Sequence, residues 1–212
     1  MNKLKDLSPQ LVWSYFEEIC QVPRPSKKEE KIIKFLTDFA KKHNLKHDVD
    51  KAGNVLISKP ATKGYENLET VVLQSHMDMV CEANKDKKHD FDKDPIEPVI
   101  DGEWVKANGT TLGADDGIGI AASMAVLTDE NIEHGPIECL FTVDEETGLT
   151  VAFALEPGFF QGKYLINLDS EDEGELFIGC AGGIDTVATI KYKKKAIKKN
   201  HIPYTFYVSG LL

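Results

Sequence analysis

Thr70-Val71-Val72-Leu73-Gln74 is a short, mostly apolar run, and Ser75-His76-Met77-Asp78 follows it directly. Such a run is what a central strand covered on both faces looks like. The pattern recurs twice: the apolar run 136–143 leads into Asp144-Glu145-Glu146-Thr147-Gly148, and 163–168 leads into Asp169-Ser170-Glu171-Asp172. Helix candidates lie between the runs, over 118–128 and roughly 148–155. Strands alternating with helices predict an α/β sandwich with a largely parallel sheet.

Working outward, Ser8-Pro9 opens a first helix with Pro at its first position, and Leu11, Val12, Phe16 and Ile19 make its apolar face. Pro23 and Pro25 break it. Ser26 and Glu29 then have capping-box spacing ahead of Ile32, Ile33, Leu36 and Phe39, which predicts a second helix. Two short strands are expected over 46–49 and 54–58, turning at Ala52-Gly53. Asp101-Gly102 separates 98–100 from 104–106 as a hairpin on the sheet edge. From 191 to 199 there are six lysines, read as gatekeeping charges on an edge strand or linker. A strand-like segment over 204–209 follows, and the apolar ending Gly210-Leu211-Leu212 has no cap, as expected of a truncated chain.

Composition excludes several classes. The 212 residues are 42% hydrophobic and 28% charged, which is globular and neither disordered nor coiled-coil. Acidic residues outnumber basic ones 35 to 25, a net charge of -10. Nucleic-acid binding needs a basic face, so it is not expected, whereas divalent cations would be favoured. Cys20, Cys81, Cys139 and Cys180 form no C-x-x-C pair, so neither a zinc knuckle nor a redox motif is available. There is no signal core at the N-terminus and no apolar run long enough for a bilayer. No membrane association is expected, and the expected location is the cytoplasm.

The chemistry-bearing residues collect after the apolar runs, with a fourth cluster, Gly113-Ala114-Asp115-Asp116-Gly117, directly before the 118–128 helix. In an open α/β sheet, ligands bind beyond the carboxyl ends of the strands, so four such loops would converge on one place. Carboxylates brought that close repel one another, and a divalent cation removes the problem. One imidazole with several carboxylates suits zinc, cobalt or manganese, whereas an all-oxygen set would favour calcium or magnesium. If one carboxylate bridges two ions, the result is a two-metal hydrolase centre. His76 and Asp78, two apart in an extended segment, share a face, so Asp78 could fix the imidazole tautomer. Glu145 and Glu146 cannot point the same way, which suggests one ligand and one proton acceptor. Taken singly, each cluster has a bland reading as a surface pair, a helix N-cap, a solvated first turn or a strand-end carboxylate. The four together, all at strand ends or a helix start, favour the metal site. No Gly-x-Ser-x-Gly elbow and no Walker loop occurs, which leaves serine hydrolases and nucleotide hydrolases as poor readings.

At these four blocks the chain resembles the M20 family of cocatalytic metallopeptidases, in its aminoacyl-histidine dipeptidase (Xaa-His dipeptidase, cytosol non-specific dipeptidase) branch. The resemblance implies a three-layer α/β/α zinc-exopeptidase-like catalytic domain over 1–187, with 188–212 a linker and the first segment of an inserted lid domain. It also implies two Zn2+ ions, with Co2+ or Mn2+ as substitutes. His76 and Asp169 match the ligands of one ion, Asp115 the bridging carboxylate, and Glu146 a ligand of the second. Glu145 matches the general base, and Asp78 the residue orienting His76. The implied activity is hydrolysis of dipeptides, Xaa-His or of broad specificity, by metal-activated water, and a homodimer is a possible form of the full-length protein.

Two departures qualify the match. Relatives are expected to run to more than twice this length and to supply a further His ligand for the second ion. Activity of the 212-residue chain alone is therefore expected to be impaired. Val151 also stands where relatives usually have Gly. Other readings are an amidohydrolase or tripeptidase of the same family, or a non-catalytic fragment with a binding role.

Overall fold

The structure, a computed structural model, describes residues 4–148, 154–170, 172, 174–179, 189–193, 195–197 and 199–204. It divides into two units, 1–173 and 174–212. The expected domain boundary at 187/188 lies outside the described residues, as do most of the helix expected over 148–155 and all but the first residue of the strand expected over 204–209. The described residues of the second unit form no helix or strand, and Ile178, Ile190, Tyr192 and Tyr204 are exposed there.

A turn of 3-10 helix, Leu4–Asp6, begins the described chain and is followed by α1 (Gln10–Ile19) and α2 (Glu30–Lys42). Next come β1 (Lys46–Val49), β2 (Val55–Lys59) and β3 (Val71–His76), then a hairpin of β4 (Pro98–Asp101) and β5 (Trp104–Ala107). α3 (Ala114–Thr128), β6 (Ile137–Thr142) and β7 (Tyr164–Asn167) complete the unit. The main sheet has the order β1-β2-β6-β3-β7. β6, β3 and β7 are mutually parallel, whereas β1–β2 and β2–β6 pair antiparallel, so the sheet is mixed and its parallel half carries the acidic loops. β3 pairs with β6 so that His76 stands opposite Thr142, and with β7 so that Gln74 stands opposite Asn167. Three strands therefore end together, which is why the residues after them meet.

Alternation along the strands sorts the two faces. Val55, Ile57, Ile137, Cys139 and Phe141 enter one core with Phe16, Ile19, Ile32, Leu36, Ile120 and Met124 from the three helices. The opposite face offers Leu56, Val72 and Leu140, and among the described residues it is covered by Leu155, Phe159 and Phe160. The buried Glu138 carboxylate on that face accepts the Gln161 and Gly162 N–H groups at 2.8 and 2.9 Å, turning the chain into β7.

Three local expectations need correction. Pro9 caps α1 from an extended conformation (φ -72°, ψ 125°) and is not its first helical residue. Ser26 and Glu29 form no capping box: α2 has no side-chain cap, because Ser26 bonds to the Asp78 carboxylate while Glu29 accepts the Lys27 and Asp144 N–H groups. The β4–β5 hairpin is a separate two-stranded sheet, not an edge of the main one.

Phe141 is fully buried near the C-terminal end of β6. Phe141→Ala should lower unfolding free energy by about 3–5 kcal/mol, as the loss of a core aromatic does, read from the urea midpoint at unchanged m-value. A loss below about 1 kcal/mol would contradict this packing.

Candidate metal centre

β3 delivers His76 to the end of the sheet, where the ring is 1% exposed. Its Nε2 lies 2.8 Å from Asp115 Oδ1 and 3.9 Å from Asp169 Oδ2, while Nδ1 faces Asp78 Oδ1 at 3.3 Å. The ring thus has one nitrogen toward a buried carboxylate and the other toward the converging acids. With the proton on Nδ1, the Nε2 lone pair is free to ligate, which is the arrangement a metal-binding imidazole needs.

Asp78 is fully buried and collects donors. The Ser26 hydroxyl donates to Oδ2 at 2.7 Å, and the Glu145 and Glu146 N–H groups donate to Oδ1 and Oδ2 at 3.0 and 3.1 Å. Burial alone would push this carboxyl up, but His76, Ser26 and the two backbone donors outweigh it and hold the pKa at about 2. Asp78 therefore stays ionised and fixes both the imidazole and the backbone of the Glu145-Glu146 pair. For His76, burial pulls the ring down, and the Asp78 and Asp115 carboxylates overcome it and raise the pKa to about 9.

Two groups of donor atoms result, each with its atoms within 4.8 Å of one another: His76 with Asp115 and Glu146, and His76 with Glu145 and Asp169. Asp115 comes from the start of α3, where its ψ of 112° breaks the helical run and Asp116 (φ -106°, ψ 35°) follows. Glu145 and Glu146 come after β6, where Asp144 takes a left-handed φ of 52°. Asp169 comes after β7, its N–H held by Asn167 Oδ1 at 3.1 Å. All six residues singled out from the sequence lie at this one end of the sheet.

The carboxylates crowd one another. Burial first, then Asp115, raises the pKa of Asp169 to about 6, and the same two causes push Glu146 upward. Neighbouring acids with raised affinity for protons are equally disposed to share another cation. With one imidazole beside several carboxylates, the donor set fits a divalent transition metal better than calcium or magnesium.

The sequence reading missed four supporting residues. Asp116 is 2% exposed and accepts the His76 N–H at 3.2 Å and the Gly119 N–H at 3.1 Å. Burial, with Asp169 adding to it and His76 opposing, raises its pKa to about 7. Arg24, 3% exposed, donates to carbonyls of the ligand-bearing loops. Ser26 holds Asp78, and Glu29 Oε1 accepts the Asp144 N–H at 3.0 Å. The available signal was two prolines around an arginine, followed by Ser and Glu, in a segment that only looked like a helix start. Beside Glu145 and Asp169 lies a cavity of about 260 Å³, lined by Gln74, Thr142 and Asn167 together with Leu140, Leu155, Phe160 and Leu165.

With that geometry established, residues 72–198 match peptidase family M20/M25/M40. The chain belongs to this family. It is 49% identical over 211 residues to the cytosol non-specific dipeptidase of Escherichia coli, covering 100% of this chain and 44% of that protein. The structure is similar to aminoacylhistidine dipeptidase from Vibrio alginolyticus, with a TM-score of 0.83 and 52% identity over 84% of this chain and 36% of that one. It is also similar to aminopeptidase PepT from Bacillus cereus, with a TM-score of 0.66 and 31% identity over 78% of this chain and 44% of that one. The chain thus spans less than half the length of the relatives it matches. Family membership implies a divalent metal ion. Among the described residues no helix is long and apolar enough to cross a membrane.

Ser26→Ala should cost about 1.5–3 kcal/mol, the worth of a hydrogen bond to a charged group, as measured by urea unfolding. In a double-mutant cycle with Asp78→Asn the coupling should exceed about 0.5 kcal/mol. A helix-capping Ser26 would give no coupling.

Proposed function

We propose that this chain carries the metal-binding half-site of a metallo-dipeptidase that hydrolyses small peptides, including those ending in histidine. The observation that carries the reading is the convergence of one oriented imidazole with Asp115, Glu145, Glu146 and Asp169. His76, Asp115, Glu146 and Asp169 would hold the zinc ions, with cobalt or manganese as substitutes. When bound, such ions polarise a peptide carbonyl and lower the pKa of water.

The chain's own groups supply the rest. Glu145 is the proton carrier: its carboxylate takes a proton from the attacking water and delivers it to the departing amine nitrogen. Asp78 supports that role indirectly, by holding the Glu145 N–H and keeping His76 in one tautomer. The cavity beside Glu145 and Asp169 includes Leu140, Leu155, Phe160 and Leu165 in its lining, apolar surface against which a substrate side chain could pack. The names of the relatives, a cytosol non-specific dipeptidase and an aminoacylhistidine dipeptidase, support dipeptides over longer chains and the cytoplasm as the location.

Because His76 belongs to both donor groups and Glu146 to one, the two should differ in metal content. Zinc measured by elemental analysis is expected to vanish in His76→Ala and to fall only partly in Glu146→Ala. Equal zinc in all three proteins would overturn the site. For hydrolysis, Glu145→Gln should lower kcat on a dipeptide by about 10²–10⁴-fold, the usual contribution of a general base, when both proteins are assayed at saturating zinc. A Glu145→Gln protein as fast as its parent would exclude Glu145 as the proton carrier.

A further inference from the structure

Arg24 sits in the loop between α1 and α2, away from solvent, and among the described residues its guanidinium hydrogen-bonds to backbone carbonyls. Nη1 donates to the carbonyls of Met77 and Asp78 at 3.0 and 2.7 Å, and Nη2 donates to the carbonyl of Gly113. Met77 follows His76 directly, and Gly113 precedes Asp115 by two residues. One planar fork therefore spans the two loops that carry His76 Nε2 and Asp115 Oδ1, which lie 2.8 Å apart. The Arg24 carbonyl adds a further tie by accepting the Met79 N–H at 3.2 Å.

The surroundings are shaped to this group. A Cβ on Gly113 would stand 2.5 Å from Nη2, and one on Gly117 would stand 2.7 Å from it. Both positions beside the fork are glycine, and Gly113 also takes a left-handed φ of 67°. Burial pulls the pKa of this guanidinium down, and the nearby Asp78 carboxylate opposes that pull. Neighbouring residues extend the same pattern: Ser26 reaches the Asp78 carboxylate, and Glu29 holds the N–H of Asp144 ahead of Glu145.

We infer that Arg24 is a positioning residue of the metal centre, whose fork sets the separation of His76 from Asp115 and thereby the affinity for a divalent cation. This rests on the metal-site reading above. A planar fork matters here, because the three donors of an ammonium radiate from one freely rotating nitrogen, whereas the two guanidinium nitrogens are held a fixed distance apart and can tie carbonyls on two loops in a fixed relation. Groups that orient ligands in this way typically change metal affinity by about 10–100-fold when altered.

The test uses the 212-residue chain and Zn2+ in competition with a chromophoric chelator. Arg24→Lys keeps the charge and should weaken zinc binding about 10–100-fold, and should shift the visible bands of the Co2+-loaded protein. Phe39→Leu, a core change near the C-terminal end of α2, where the ring packs against Tyr15 and His43, serves as the control for stability and should leave zinc affinity and the Co2+ bands unaltered. If folded Arg24→Lys binds zinc within twofold of its parent, or if Phe39→Leu weakens zinc equally, the inference is overturned. Should Arg24→Lys not fold, Gly117→Ala carries the same test, since its methyl displaces Nη2 without removing the guanidinium and the same thresholds apply. His76→Ala separates the two readings: zinc retained there removes the metal site itself, whereas zinc lost there with Arg24→Lys unchanged removes only the role of Arg24.

Discussion

A buried negative charge at Asp78 is the constraint on which this end of the molecule depends. A carboxylate with no exposure is tolerated only when its oxygens are satisfied. Here the donors come from Ser26 and from the backbones of Glu145 and Glu146, with His76 alongside. Those partners belong to three separate stretches of chain. Satisfying one carboxylate therefore fixes the α1–α2 loop, the end of β3 and the end of β6 relative to one another. The position of the imidazole and the direction of the two glutamates follow from the same network.

The second constraint is repulsion. Asp115, Glu146 and Asp169 are drawn together by strand ends and a helix start, and the raised pKa values of Glu146 and Asp169 record the cost. Supporting charge lies behind the cluster in Arg24, which contacts backbone carbonyls and leaves the acids free. The division is physically sensible. A cation placed among the ligands would neutralise them, whereas one placed behind the loops holds their backbones and leaves carboxylate oxygens for a metal ion.

The expected strands over 46–49 and 70–74, the run 136–143 and the run 163–168 all correspond to strands, displaced by at most a few residues. Their alternation or unbroken apolarity is a local property, so it could be read without contacts. The start of α3 was legible for a similar reason: the regular helix follows Asp116, where the apolar run begins. Ser26 and Glu29 show the opposite case. Their spacing matches a capping box, yet α2 begins without a side-chain cap, because a buried carboxylate and a strand-end N–H compete more strongly for these groups than a solvated helix end does.

His76, Asp78, Asp115, Glu145, Glu146 and Asp169 could be singled out from the sequence alone, because polar residues directly after apolar runs are conspicuous in a linear pattern. That pattern also determined the α/β class and the side of the sheet on which the chemistry lies. Only the tertiary structure decided which ring nitrogen faces Asp78, that Asp116 is buried against the backbone of His76, and that Arg24 joins two loops. Arg24 and Gly113 are 89 residues apart, and Ser26 and Asp78 are 52 apart. Periodicity reports which face a residue occupies within its own element, but a hydrogen bond between distant loops depends on how those elements pack, and that is set by the shared core beneath them.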